Sequence, residues 1–316
     1  MNRPPSDHFD GKRFFNPGDA PARRGLPQVL RWRLTGDRAR WPASVAPEVH
    51  LPPPATVAPG QVAVSFVNHS TFLLRFAGAT VLTDPVWSER CSPLAWLGPK
   101  RVRPPGLPLE TLPRINLVLL SHNHYDHMDL RTLRTLRAHD PEVVTTSGNG
   151  GKLRRLGLRV VELDWWEATE AAGLRITATP ARHFSRRTPF DQNRSLWGGF
   201  FLNGVLFAGD SGAGPHWAAI RTRLGAPDLA LLPVGAYEPR WLMGPVHMNP
   251  AEAVQAHLDL GARHSVGMHF GTFQLTDEAI EAPEEALRRA AERLDPRAFV
   301  MLGFGETRLF SLGGAS

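Results

Sequence analysis

From Gln61 onward the chain alternates short apolar runs with turn residues. Val62–Val67, Phe72–Phe76 and Thr80–Thr83 are such runs, and their spacing predicts adjacent strands. Ile115–Leu120 is apolar at almost every position, the pattern of a strand buried on both faces. Between Asp129 and Ala138 the residues Leu130, Leu133 and Leu136 recur three apart, which predicts an amphipathic helix. Further strands are predicted over Val160–Leu163, Leu174–Thr179, Gly199–Ala208, Leu229–Pro233, Ser265–His269, Phe299–Leu302 and Thr307–Phe310, and a helix over Glu284–Leu294. Asn249-Pro250-Ala251-Glu252 opens another helix: Asn is a good N-cap, Pro suits the first helical position and Glu completes the cap. Runs of strands with helices between them predict an α/β fold of two packed sheets covered by helices.

Residues 1–60 lack this patterning and are rich in Pro and Arg. They predict an N-terminal arm lying on a main domain of residues 61–316, with one short helix around Leu26–Thr35 and Pro52-Pro53-Pro54 as a stiff connector. No internal repeat is visible by eye.

Composition narrows the class without choosing a chemistry. With 316 residues, 42% hydrophobic and 21% charged, the chain can bury a large core. A single cysteine, Cys91, excludes an intramolecular disulfide framework and a Cys-based zinc site. The N-terminal residues carry no apolar leader, and no run of about 18 apolar residues occurs, so a cytoplasmic location with peripheral membrane contact at most is expected. The formal charge of +6 and pI of about 10.3 come almost wholly from scattered Arg, not from a massed basic patch. That distribution favours attraction of an anionic substrate over a nucleic-acid partner.

The chemistry is concentrated directly after Ile115–Leu120. His122, His124, Asp126 and His127 place four metal-binding side chains within six residues. A straight strand or helix cannot aim them all one way, whereas a loop at a strand end can. Imidazole nitrogen with carboxylate oxygen suits zinc and also accepts manganese, iron or cobalt. His183, Asp210 and His269 each follow a predicted strand and can meet this loop along one edge of the sheets.

The order H-x-H-x-D-H, His, Gly-Asp, His resembles the metallo-β-lactamase superfamily. Ser121–His127, Gly98-Pro99-Lys100-Arg101, Glu162-Leu163-Asp164-Trp165-Trp166-Glu167, Gly235-Ala236-Tyr237-Glu238-Pro239-Arg240-Trp241 and His269-Phe270-Gly271-Thr272-Phe273 resemble, within it, the N-acyl-phosphatidylethanolamine phospholipase D group. The resemblance runs from about Val64 to about Phe310. It implies a four-layer αββα sandwich with its metals at the sandwich edge. It further implies two zinc ions, one held by His122, His124 and His183, the other by Asp126, His127 and His269, with Asp210 bridging. The implied reaction is hydrolysis of an anionic phosphoester or phospholipid by hydroxide drawn from a metal-bridging water, which Asp126 orients.

Tyr125 and His247 match positions near the substrate phosphate in that group, where both can donate to a phosphoryl oxygen. Arg186 and Arg187 are candidates for attracting an anionic head group, Asp84 for orienting the metal loop, and His69 for bordering the site. Trp165, Trp166 and Trp241 either line an acyl-chain groove or belong to the core, while His216, His257 and His264 read as structural. The arm either covers the pocket or mediates a homodimer. A lactonase or phosphotriesterase of the same fold is the alternative, because the fold does not fix the substrate.

Overall fold

The computed structural model describes residues 4–18 and 26–313. Helix α1 (Leu26–Thr35) occupies the span that the sequence predicts. The first sheet then forms from β1 (Gln61–Asn68), β2 (Thr71–Phe76), β3 (Ala79–Thr83), β4 (Leu117–Leu120), β5 (Glu142–Thr146) and β6 (Arg159–Leu163), with α2 (Leu130–Leu136) and α3 (Gly150–Arg154) between its last strands. The second sheet contains β7 (Ala168–Ala171), β8 (Leu174–Thr179), β9 (Gly199–Leu202), β10 (Val205–Phe207), β11 (Leu229–Pro233), β12 (His264–Met268) and β13 (Phe299–Val300). Its helices are α4 (His216–Leu224), α5 (Arg240–Met243), α6 (Pro250–Leu260) and α7 (Ala282–Ala290). The last strand, β14 (Thr307–Ser311), returns to pair with β1 at the edge of the first sheet.

The side-chain period of two sorts each strand between layers. Val62, Val64, Phe66, Phe72, Leu74, Leu117 and Leu119 enter the core between the sheets, where they meet Ile176, Phe200, Leu206 and Leu232. Leu73, Val118, Leu120 and Val143 point the other way and pack on Leu133, Leu136 and Leu153 of α2 and α3. Each such side chain contributes about 1.5–3 kcal/mol by leaving water, so a register slip of one residue would be prohibitive. Trp217 and Ile220 of α4, Ala253 and Leu260 of α6, and Leu287 of α7 cover the second sheet. The αββα layering is therefore as expected.

Two local expectations shift and a third holds. The run Gly199–Ala208 is a hairpin, not one strand: Asn203 and Gly204 adopt φ of 42° and 76°, the left-handed pair that a tight hairpin turn requires. The helix predicted from Asp129 uses that residue as its N-cap, the carboxylate accepting from the Arg131 amide. The cap at Asn249 forms both halves of a capping box with Glu252. β5, β7, α3 and α4 carry no strong period in the sequence and are additions.

Chain direction explains why distant residues converge. In the first sheet β1 and β3 are both antiparallel to β2, and β3, β4 and β5 are parallel, so β1, β3 and β4 end on the same edge. In the second sheet β8, β10, β11 and β12 likewise run one way. His69, Asp84 and Ser121 follow β1, β3 and β4, while His183, Asp210 and His269 follow β8, β10 and β12. Packing the two sheets face to face brings the two rows of strand ends together.

Candidate metal centre

The loop after β4 is shaped by hydrogen bonds on its outer side. Asp84, fully buried, accepts from the Ser121 amide at 2.8 Å, the Ser121 hydroxyl at 2.5 Å and His127 Nδ1 at 2.6 Å. Because a carboxylate only accepts, His127 carries its proton on Nδ1 and aims the Nε2 lone pair inward. Two more imidazoles are oriented in the same way. The Ser121 hydroxyl, spent on Asp84, accepts from His122 Nδ1 at 2.9 Å, and the Val246 carbonyl accepts from His183 Nδ1 at 3.1 Å. His122 and His183 therefore also face inward with Nε2 lone pairs.

Seven expected side chains come together there. His122 Nε2, His124 Nδ1 and His183 Nε2 form one group with Asp210, and Asp126, His127 and His269 form a second with His69. Asp210 Oδ2 lies between them, 3.2 Å from both His127 Nε2 and His269 Nε2, 3.6 Å from His183 Nε2 and 3.9 Å from His122 Nε2. His127, His183, His269, His122 and Asp210 are all at most 3% exposed, with His124, Tyr125 and Asp126 half-buried at the mouth.

These donors fit a cation better than they fit one another. His124 Nδ1 stands 2.9 Å from His122 Nε2 and 3.2 Å from His183 Nε2, so three nitrogens share at most one proton where two are already lone pairs. His127 Nε2, His269 Nε2 and Asp210 Oδ1 are buried without an aligned hydrogen bond among the described residues. Tetrahedral ligands at about 2.0–2.1 Å from zinc stand about 3.3 Å apart, which is close to the spacings observed. Burial opposes charge on all of these groups. Even so, Asp210 and Asp126 raise His269 to about 9, and His127 and His269 hold Asp210 well below the usual carboxylate range. The carboxylates of Asp210, Asp126 and Asp84 likewise push His127 well up, so these buried carboxylates attract positive charge, which a bound cation would supply.

The neighbouring candidates separate clearly. His69 approaches closer than expected, its Nε2 3.0 Å from Asp126 Oδ2 and its ring 3.9 Å from that of His269. His69, Asp84 and His269 adopt φ of 46°, 31° and 66°, each a left-handed conformation costing about 1–3 kcal/mol that the surroundings must impose. His247 faces the centre, 5.0 Å from the His183 ring and 5.3 Å from the His269 ring. The Tyr125 hydroxyl donates to the Arg187 carbonyl at 3.1 Å. Arg187 is committed to the loop: its guanidinium lies 3.9 Å from the Tyr125 ring centre and donates to the carbonyls of Asn123 at 3.0 Å and Met128 at 2.8 Å.

Arg186 is half-buried and its Nε donates to Thr188 O at 3.4 Å. Trp165 belongs to the core with Trp197, Phe9 and Phe14, while Trp241 is half exposed and lines a 340 Å³ cavity against α1. His216 and His257 are spent on Ser211 and Ser265, and His264 on the Arg297 carbonyl.

A second cavity, of about 420 Å³, adjoins the metal loop and is lined by Glu89, Arg90, Ser92, Pro93, Ala95, Tyr125, Asp129, Arg131 and Arg187. Backbone contact keeps His269 in place: a Cβ on Gly235 would stand 2.0 Å from the His269 carbonyl oxygen, which no side-chain rotation relieves. Gly235→Ala is expected to destabilise the fold by about 1–3 kcal/mol, the scale of overpacking. It should also lower metal content, read together by thermal melting and elemental analysis; a variant unchanged in both would show that the two segments move apart freely.

Comparison with known proteins places this geometry. The beta-lactamase superfamily domain matches residues 79–270, from β3 to just past His269. N-acyl-phosphatidylethanolamine-hydrolyzing phospholipase D 1 of Caenorhabditis elegans is 36% identical over 263 residues, covering 77% of this chain and 74% of that protein. An uncharacterized protein of Mycobacterium tuberculosis is 42% identical over 244 residues, 73% of this chain, although the match spans only 64% of that longer protein. Among solved structures, a metallo hydrolase from Ignicoccus hospitalis superposes with a TM-score of 0.61 at 25% identity, covering 80% of this chain and all of that one. No helix among the described residues is long and apolar enough to cross a membrane. The chain belongs to the metallo-β-lactamase superfamily.

Proposed function

We propose that the protein is a dinuclear zinc phosphodiesterase of phospholipase D type acting on N-acyl-phosphatidylethanolamine-like lipids. The observation that carries this reading is Asp210 Oδ2, set between two imidazole groups so that one carboxylate serves both. His122, His124 and His183 would hold one ion and Asp126, His127 and His269 the other. Metals bound there would supply hydroxide from water at neutral pH and would neutralise charge developing on phosphoryl oxygens. Asp84, Ser121 and the Val246 carbonyl keep the imidazole lone pairs aimed inward. His69 braces Asp126 from behind.

The substrate class rests on the relatives and on the surroundings of the site. A yeast N-acyl-phosphatidylethanolamine-hydrolyzing phospholipase D also matches at 36% identity over 264 residues, 78% of this chain and 56% of that longer protein. The cavity beside Tyr125 has the volume of a small-ligand site, and Arg90 and Arg131 on its wall, set beside the carboxylates of Glu89 and Asp129, are suited to a phosphate-bearing head group. Leu94, Trp96 and Leu97 stand 41%, 72% and 54% exposed on the loop that borders it, as a segment touching acyl chains or a lipid surface would.

Water attacking phosphorus breaks the bond to the ethanolamine oxygen, so the water oxygen ends on phosphatidic acid and the N-acylethanolamine leaves as an alcohol. Hydrolysis in ¹⁸O water is expected to label the phosphatidic acid alone. Label in the N-acylethanolamine would refute attack at phosphorus. A panel of N-acyl-phosphatidylethanolamine vesicles, bis(p-nitrophenyl) phosphate and lactones under one metal condition ranks the substrates, and faster turnover of the lactones would favour the alternative ester hydrolase.

A further inference from the structure

His183 lies beyond the end of β8, where the sheet no longer fixes its backbone. Its ring is oriented by Val246, but its main chain is held from another quarter. Asn16 Nδ2 donates to the His183 carbonyl at 3.0 Å, and Asn16 Oδ1 accepts from the His183 amide at 3.3 Å. The same Oδ1 accepts from Trp197 Nε1 at 3.0 Å, which sets the amide plane. Among the described residues these are the only hydrogen bonds of the His183 backbone.

Residues 6–16 are themselves firmly seated. Ser6, Phe9 and Phe14 form a small antiparallel turn, and Phe9 and Phe14 are 8% and 4% exposed against Trp165, Trp197 and Leu196. The His8 ring stacks on Trp165 at 4.3 Å, and its Nε2 lies 2.7 Å from Asp164 Oδ1. The Phe14 amide donates to the Asn193 carbonyl at 2.8 Å, which ties the segment to the 185–195 loop. An aromatic anchor of this kind is far more than a passing surface contact needs. Its one polar product directed at the centre is the clamp on His183.

We propose that residues 6–16 are a strap that completes the metal centre from outside the second sheet, with Asn16 the positioning residue for His183. The strap touches neither substrate nor metal. It removes the freedom of a backbone segment whose displacement by a fraction of an ångström would carry the imidazole off its partners His122, His124 and Asp210. This rests on the reading that His183 is a metal ligand, and the experiment separates the two ideas.

In the full chain, Asn16→Ala is compared with wild type by two measurements. In metal-free protein, amide exchange at His183 is expected to accelerate at least about tenfold, since an exposed amide replaces a bonded one. In zinc-loaded protein titrated with a chelator, one ion is expected to leave at roughly 10–100-fold lower chelator strength while the other is retained as in wild type, the scale seen when a residue supporting a ligand is lost. Arg13→Ala, which removes the strap's exposed contact with the Gln192 carbonyl, should change neither. Asn16→Asp keeps the oxygen that accepts from the His183 amide but sets a second oxygen against the His183 carbonyl, so it should ease zinc release at least as much as Asn16→Ala, and a poorly folding alanine variant still leaves a decision. A folded Asn16→Ala protein with wild-type exchange at His183 overturns the strap. Faster exchange with unaltered zinc release overturns its role in the metal centre. Failure of the wild type to take up metal would overturn the ligand assignment and leave exchange to decide the clamp.

Discussion

Asp210→Asn is expected to lower activity by about 10²–10³-fold, the loss that follows removal of one charge-stabilising group from an active site. The effect should exceed that of any single imidazole, because Asp210 Oδ2 is shared. It lies within 3.9 Å of His122, His127, His183 and His269, so both proposed metal positions lose an anionic ligand together. The isosteric amide keeps the packing around a side chain that is 3% exposed, and the fold should survive. Elemental analysis of the purified variant should show substoichiometric metal while its far-UV spectrum matches wild type. A variant that keeps full metal content and activity would remove Asp210 from the centre and with it the dinuclear reading.

Much of this centre is legible in the sequence for a physical reason. His122, His124, Asp126 and His127 lie so close in the chain that any single turn at the end of β4 brings them together, whatever the rest of the fold does. The strand core was legible too, since the period of two in Phe72–Phe76 and the unbroken apolar run of β4 report directly which faces are buried. His183, Asp210 and His269 required one more step, namely that strands of like direction end on one edge.

What stayed hidden is non-local or weakly patterned. β5 and β7 pair through backbone hydrogen bonds, which any side chain permits, and β7 is largely exposed. The two halves of the chain repeat one design: each sheet has three antiparallel pairings followed by three parallel ones. No residue repeat betrays it, because topology constrains direction and burial but not identity. Arg187 read as a lure for anions, yet a guanidinium offers five donors in a fixed fork, and two carbonyls of the metal loop claim it. Asn16 carries no period, no motif and no charge. Its contact with His183 spans 167 residues and could be found only in three dimensions.

Asp84→Asn replaces a group that only accepts with one that must also donate. The carboxylate satisfies three donors, the Ser121 amide through Oδ1 and both the Ser121 hydroxyl and His127 Nδ1 through Oδ2. An asparagine cannot serve all three. With its oxygen toward the hydroxyl and His127, its amide group confronts the Ser121 amide, leaving buried donors opposed at a cost of about 1–3 kcal/mol. With its oxygen toward the Ser121 amide, its amide group faces His127 Nδ1, which must then give up its proton. The proton moves to Nε2 and points at the centre, where Asp210 Oδ2 stands 3.2 Å away and a lone pair is required. The second arrangement relieves the buried clash by disabling a ligand, and is the one the fold should adopt. Metal affinity is then expected to fall about 10–100-fold, as when an outer partner of a ligating histidine is removed, with a smaller fall in melting temperature. Chelator competition and melting measured on the same preparation distinguish the arrangements. A large loss of stability with unchanged affinity would mean that His127 keeps its tautomer without Asp84, and that the orientation of this imidazole is set by packing alone.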